Sequence, residues 1–194
     1  DYGLAPGVTK TYKKFYSTNL YKSLEILAPS NEPDTTEDKS NGIQGGLTLF
    51  DLKEIASEIE KKTGHYPQIT TDKDYLNEEK NILLSKGFSE EVISKAQKFA
   101  VKEAYRETEK ATYQAMEALI HNLNTMHSRA GAQTPFSSIN YGTDTSPEGR
   151  MVIKNFLLAA DSGLGNGETP IFPVSIFKVK EGINYNPEDK NYDL

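Results

Sequence analysis

Apolar residues recur every three or four positions near the start of the chain: Val8, Tyr12, Phe15, Tyr16, Leu20, Leu24 and Leu27, with lysines between them. That is the period of one helical face, and it predicts a helix over 6–27. The pattern is lost in "APSNEPDTTEDKSNG", which is polar, acidic and rich in turn formers, so 28–46 is expected to be a flexible linker. It resumes with Leu49, Leu52, Ile55 and Ile59 behind Thr48, whose hydroxyl suits a helix cap; Gly64 should stop this helix, expected over 48–62. A shorter helix over 73–86 should end at Gly87. Ser89 opens the longest periodic run, with Glu90 and Glu91 placed toward the positive end of the helix dipole. Val92, Ala96, Phe99, Ala104, Ala111, Met116, Ile120 and Leu123 carry it, and they predict a helix over about 89–128. At about 40 residues it exceeds the usual length, so it should bend near "RETEKAT" or pack in a bundle.

Beyond "SRAGAQ" the pattern changes. "TPFSSINYG" reads as a short strand, and Ser146–Pro147–Glu148 as a helix start with a capping hydroxyl, Pro at the first helical position and an acid in the first turn. That helix continues through "GRMVIKNFLLAADS" to Gly163. "GLGNGE" reads as a turn, "TPIFPVSIFKVKEG" as a second strand, and the remainder as extended and polar. Strand, helix, strand fits a βαβ unit, with a right-handed crossover if the strands are parallel. Two strands are marginal alone, so an α-rich α/β chain holding part of a larger sheet is expected.

The 194 residues suffice for one substantial core. A formal net charge of −6 argues against nonspecific binding to nucleic acid or to an anionic membrane. No window approaches the run of about 18 apolar residues that a spanning helix needs. "DYGLAPGVTK" has no signal-peptide pattern, which makes a cytoplasmic location the default. The missing initiator Met and the abrupt ends predict a piece of a longer chain. Cys is absent, which removes disulfides, thiolate metal sites and cysteine nucleophiles together.

Other candidate chemistry is weak. His121 and His127 are about 240° apart around a helix and lack acidic partners four residues away, so no metal site is expected of them. "GLGNGETP" lacks the Gly-Lys-Ser/Thr ending of a phosphate loop and leads into a strand. Ser137 and Ser138 lie in no nucleophile elbow. The residues alone leave two readings of that strand level: it lines a polar pocket, or half of it faces water. The lysines of "TKTYKKF" and "RETEKATYQ" fit a solvated face, or an anion held between helices.

"YQAMEALIHNLNTMHSRAGAQTPFSSINYGTDTSPEGR", then "GLGNGETPIFPVSIFKVKEGINYNPEDKNYDL", with "DYGLAPGVTKTYKKF" upstream in the same order, resembles the anaerobic (class III) ribonucleoside-triphosphate reductases. The resemblance is close over 1–27 and 103–194. It implies a glycyl-radical enzyme that reduces ribonucleoside triphosphates to deoxyribonucleoside triphosphates, folded as a ten-stranded α/β barrel. It also implies a radical S-adenosylmethionine activating enzyme, a thiyl radical on a barrel Cys, a four-Cys zinc site, a homodimer and a deoxynucleotide or ATP effector.

The chain departs from that pattern in having no Cys and no glycyl-radical motif, so it is expected to be an internal fragment without reductase activity. On this reading 1–27 is a first interface helix and 28–46 a linker. Residues 47–128 form a helical region, and 129–194 form a strand–helix–strand part of the barrel. "QTPFSSINYG" becomes an inner strand, with Gln133, Ser137, Ser138 and Asn140 as candidates to line the substrate site. Lys110 is the leading candidate for effector phosphate, followed by Lys10 and Lys13, with Glu148 as a candidate for the effector base. The competing reading is a non-catalytic helical interaction module.

Overall fold

The computed structural model describes residues 3–28, 46–126, 134 and 136–194. Its elements are α1 (Ala5–Leu27), α2 (Leu49–Thr63), α3 (Lys73–Ser85), α4 (Glu90–Thr125), β1 (Ser138–Tyr141), α5 (Pro147–Ser162) and β2 (Val174–Phe177). The chain is helix-rich with two parallel strands. It forms two compact units: Thr9–Thr108, here the helical unit, and Glu109–Leu194 with the first residues through Val8, here the sheet unit.

The helical unit is built on residues repeating every four positions. Tyr12, Tyr16, Leu20 and Leu24 of α1 are buried with Leu52, Ile55 and Ile59 of α2, Tyr75 and Leu83 of α3, and Ile93, Ala96, Ala100 and Ala104 of α4. Each large apolar side chain contributes about 1.5–3 kcal/mol by leaving water. The run of alanines lets the other helices approach α4 closely.

Local chemistry fixes the helix ends. The Thr48 hydroxyl accepts from Asp51 N at 3.2 Å while the Asp51 carboxylate accepts from Thr48 N at 2.7 Å, a reciprocal capping box. Gly64 ends α2 in the left-handed conformation, φ 78°. Asp72, not singled out in the sequence, caps α3 by accepting from Asp74 N and Tyr75 N.

The long helix is a single element from Glu90 to Thr125, uninterrupted through the anticipated bend. Its residues up to Thr108 belong to the helical unit, and those from Glu109 onward to the sheet unit. Ile93 and Ala96 are thus buried in one, and Met116 and Ile120 in the other.

In the sheet unit β1 pairs with β2 in parallel, Ser138 opposite Val174 and Tyr141 opposite Phe177. Ser146 caps α5, its hydroxyl accepting from Gly149 N at 3.0 Å, with Pro147 opening the helix. Both strands are shorter than the sequence suggests. Pro170 and Pro173 offer no ladder donors ahead of β2, and Gly142, at φ 112°, turns the chain out of β1. The polar tail is not extended as expected. It folds into successive turns, because the Asn184 and Asn191 side chains replace a ladder partner by bonding backbone carbonyls.

Candidate functional site

Residues alternate across a strand, and partners in a parallel ladder share a face. Ser138 and Asn140 therefore share one face of the sheet with Val174 and Ile176, and all four are exposed. The opposite face carries Tyr141, whose ring meets Phe156 of α5 at 5.4 Å and Phe177 at 5.6 Å between centroids. On this face α5 packs against Tyr141 of β1, while Ser175 and Phe177 of β2 remain exposed; the other face presents a hydroxyl and a carboxamide beside two aliphatic side chains.

Ser137 does not join this pair. It lies one residue earlier, and its hydroxyl oxygen is buried without a hydrogen-bond partner among the described residues. Gln133 lies outside the described residues.

Sequence reasoning missed the groups that hold the C-terminal ends of the strands. Asn184 Nδ2 donates to Gly142 O at 2.9 Å and to Lys178 O at 2.8 Å, tying the exit of β1 to the exit of β2. Asn191, 1% exposed, donates to Gly142 O at 3.1 Å and Asp144 O at 2.9 Å. Its own Oδ1 accepts from Arg150 Nη1 of α5 at 2.8 Å. Arg150 also donates to Lys190 O, and its Nη2 lies 2.8 and 2.9 Å from the two oxygens of the Asp193 carboxylate. Nothing local in "NYNPEDKNYD" distinguishes these asparagines from ordinary turn residues.

Glu148, half-buried, stands in the first turn of α5. A carboxylate of the chain already lies at that helix start. Asp144 Oδ1 accepts from Ser146 N at 2.9 Å, and a Cβ added at Gly149 would lie 2.2 Å from the Asp144 carboxyl. Lys110 is exposed on α4 in the sheet unit.

Lys10 and Lys13 belong instead to the helical unit, on α1. Lys10 is exposed. The Lys13 ammonium pairs with Glu60 at 2.6 Å and stands 4.1 Å above the Tyr66 ring, on the edge of a cavity of about 300 Å³ between α1 and α2.

The most unusual group in the helical unit is Glu79. It is 1% exposed, and accepts from Tyr16 Oη at 2.6 Å, Tyr75 Oη at 2.7 Å and Gln97 Nε2 at 3.0 Å. Burial raises its pKa above the ordinary glutamate range, against the lowering influence of the three donors. Burial, followed by the nearby carboxylate, likewise raises Tyr16 and Tyr75, and burial alone pushes Tyr12 up to about 12. The signal was a glutamate in the repeat Tyr75, Glu79, Leu83, where an apolar residue fits the pattern.

The remaining clusters are structural. His65 Nδ1 lies 3.2 Å from Asp72, while Nε2 lies 4.0 Å from Asp74, so the two carboxylates approach different ring nitrogens. His127 lies outside the described residues, as does any statement about its pairing with His121. "GLGNGE" is a closed turn in which Leu164 N donates to Glu168 O at 3.0 Å. Among the described residues no helix is long and apolar enough to cross a membrane.

A family model described as anaerobic ribonucleoside-triphosphate reductase matches residues 1–194. Proteins of that name are similar to this chain. The one from Enterobacteria phage T4 is 43% identical over 96 residues, 49% of this chain and 16% of its own length. The Haemophilus influenzae protein is 31% identical over 154 residues, 78% of this chain and 18% of its own. The Escherichia coli protein is 38% identical over 88 residues, 45% of this chain and 12% of its own. The matched part of this chain thus spans under a fifth of the length of each relative.

Proposed function

The chain belongs to the anaerobic ribonucleoside-triphosphate reductase family, and from that premise we propose that it forms part of the catalytic body of such an enzyme, which converts ribonucleoside triphosphates to deoxyribonucleoside triphosphates by glycyl- and thiyl-radical chemistry. One observation carries the reading furthest. The two parallel strands have α5 against one face and leave Ser138 and Asn140 exposed on the other. In a barrel with helices outside, that bare face is the inner one. Ser138 offers a donor and an acceptor through one hydroxyl, and Asn140 offers both through its carboxamide, the groups suited to a ribose or phosphate edge. Val174 and Ile176 beside them would exclude water from the same surface.

The radical steps belong to residues this chain does not carry. It has no cysteine, so neither the thiyl position nor a four-cysteine zinc site is formed by its residues, and the chain alone is inactive as a reductase. The activating enzyme, the homodimer and the deoxynucleotide effector are partners of the complete enzyme. Lys110, Lys10, Lys13 and Glu148 remain the effector candidates, two in each unit.

The test has two arms. In the full-length reductase that contains this stretch, Asn140→Ala should lower kcat/KM by about tenfold or more, the value of one lost transition-state hydrogen bond in a dry site. Unchanged kinetics would remove Asn140 from the substrate surface. Titrating the present chain with deoxynucleoside triphosphates should give saturable binding that Lys110→Ala weakens; binding indifferent to that change would remove Lys110.

A further inference from the structure

We propose that the groove between α3 and α4 is a binding site for an oligophosphate group, separate from both the sheet face and Lys110. The groove encloses about 410 Å³. Lys73 and Lys80 lie seven residues apart on α3, and Ser94, Lys98 and Val101 recur at spacings of four and three on α4, so each helix turns one face toward it.

Lysines from two helices thus ring one concavity, and no carboxylate is among the lining residues. Lys73 and Lys98 have no ion-pair partner among the described residues. Lys80 pairs with Glu90 at 2.6 Å, but the Glu90 side chain is 71% exposed, and such pairs at the surface are weak and readily exchanged for a stronger anion. The hydroxyls of Thr71 and Ser94 add neutral donors at the rim.

The groove also has a firm floor. Gln97 lines it, 7% exposed, and its Nε2 is held by Leu76 O and Glu79 Oε2, each at 3.0 Å. Leu76 and Val101 supply apolar surface beside it. Ammonium groups act on phosphate as point charges, so several of them around a shared concavity suit a chain of phosphoryl groups better than a single planar carboxylate. The apolar floor leaves room for whatever the phosphates are attached to.

The cavity by Lys13 provides an internal contrast. Its lining includes Glu60, already engaged by Lys13. Lys53, on that other cavity, therefore serves as a control for charge alone.

The present chain is titrated with inorganic tripolyphosphate and, separately, with a nucleoside triphosphate, at low ionic strength, following backbone amide resonances. Saturable shifts are expected at residues 71–80 and 94–101 with both probes, and with tripolyphosphate they should be confined there. Lys73→Gln and Lys98→Gln should each weaken the binding read from these residues by about three- to tenfold, as expected for loss of one phosphate contact, whereas Lys53→Gln should leave it unchanged and Lys110→Ala should alter only nucleotide-dependent shifts read elsewhere in the chain. Tighter binding of the nucleotide would show the apolar floor in use; equal binding would assign recognition to the phosphate chain alone. Equal losses for Lys53→Gln and Lys98→Gln would overturn the proposal in favour of diffuse charge attraction. So would a lowered unfolding temperature for Lys98→Gln with binding intact, because the lysines would then serve as counter-charge for Glu79. Because Lys110→Ala is read in the same titration, failure of the effector reading stays distinguishable from failure of this one.

Discussion

Glu79 sits where the four-residue repeat of α3 calls for an apolar side chain, and its three donors come from α1, α3 and α4. Its raised pKa means the folded protein holds that proton more tightly than the unfolded chain. The folded state therefore gains most from this group at low pH, and stability declines as pH rises from the ordinary glutamate range through the raised value. Glu79→Gln cannot ionise and keeps an acceptor for the tyrosines. The difference between wild type and variant should thus favour the variant increasingly as pH rises from the ordinary glutamate range through the raised value. Chemical denaturation midpoints across that range measure it; a constant difference would refute it. Asp72 and Asp51, whose pKa values are lowered, act in the opposite sense at lower pH, so only the comparison isolates Glu79. This residue also marks how far sequence reaches at this scale. Thr48, Gly64 and Ser146 were legible because a cap is satisfied within a few residues. Glu79 was not, because Tyr16 is 63 residues away and Gln97 is 18.

Helices and strands differ in legibility for a related reason. α4 repeats its apolar period through 36 residues, so its existence could be read with little ambiguity, as could α1 and α2. β1 and β2 have four residues each, two alternations apiece, and their ends are set by distant side chains. Asn191 shows the consequence. It bonds Gly142 O and Asp144 O where the chain leaves β1, while its oxygen receives Arg150. Asn191→Ala removes two donors from buried carbonyls, of which Gly142 O retains Asn184. The expected loss is about 1–3 kcal/mol, the cost of an unsatisfied buried acceptor. It should be felt locally: hydrogen exchange should accelerate at 138–146 and 180–193 and stay unchanged in α2 and α3. Uniform acceleration throughout the chain would mean that Asn191 supports global folding and is not a clip on the strand exits. The Ser138–Asn140 face depends on that clip, so the same variant should also disturb whatever those two residues bind.

At the scale of the molecule, the helical unit encloses a core of its own, whereas the sheet unit does not close its sheet. Among the described residues the sheet has two strands, each with an unpaired edge. Val174 and Ile176 are 42% exposed, and Ile171, at 76%, and Val179, at 63%, flank β2. Open edges beside aliphatic side chains recruit further strands. In the complete reductase the proposed barrel would supply them; in solutions of this chain a second copy is the available source. Apparent mass in sedimentation velocity should therefore rise with concentration from about 10 μM to about 1 mM, a range that spans weak self-association. Ile176→Lys should reduce this, because it places a charge on the uncovered face without touching Tyr141 or Phe156 on the other. A monomer throughout that range would show that the two strands suffice as they stand, and the inner-barrel reading of Ser138 and Asn140 would lose the incompleteness on which it relies. Association unaffected by Ile176→Lys would leave the incompleteness but move the contact elsewhere, most directly to exposed apolar residues of the helices such as Phe50 and Phe99.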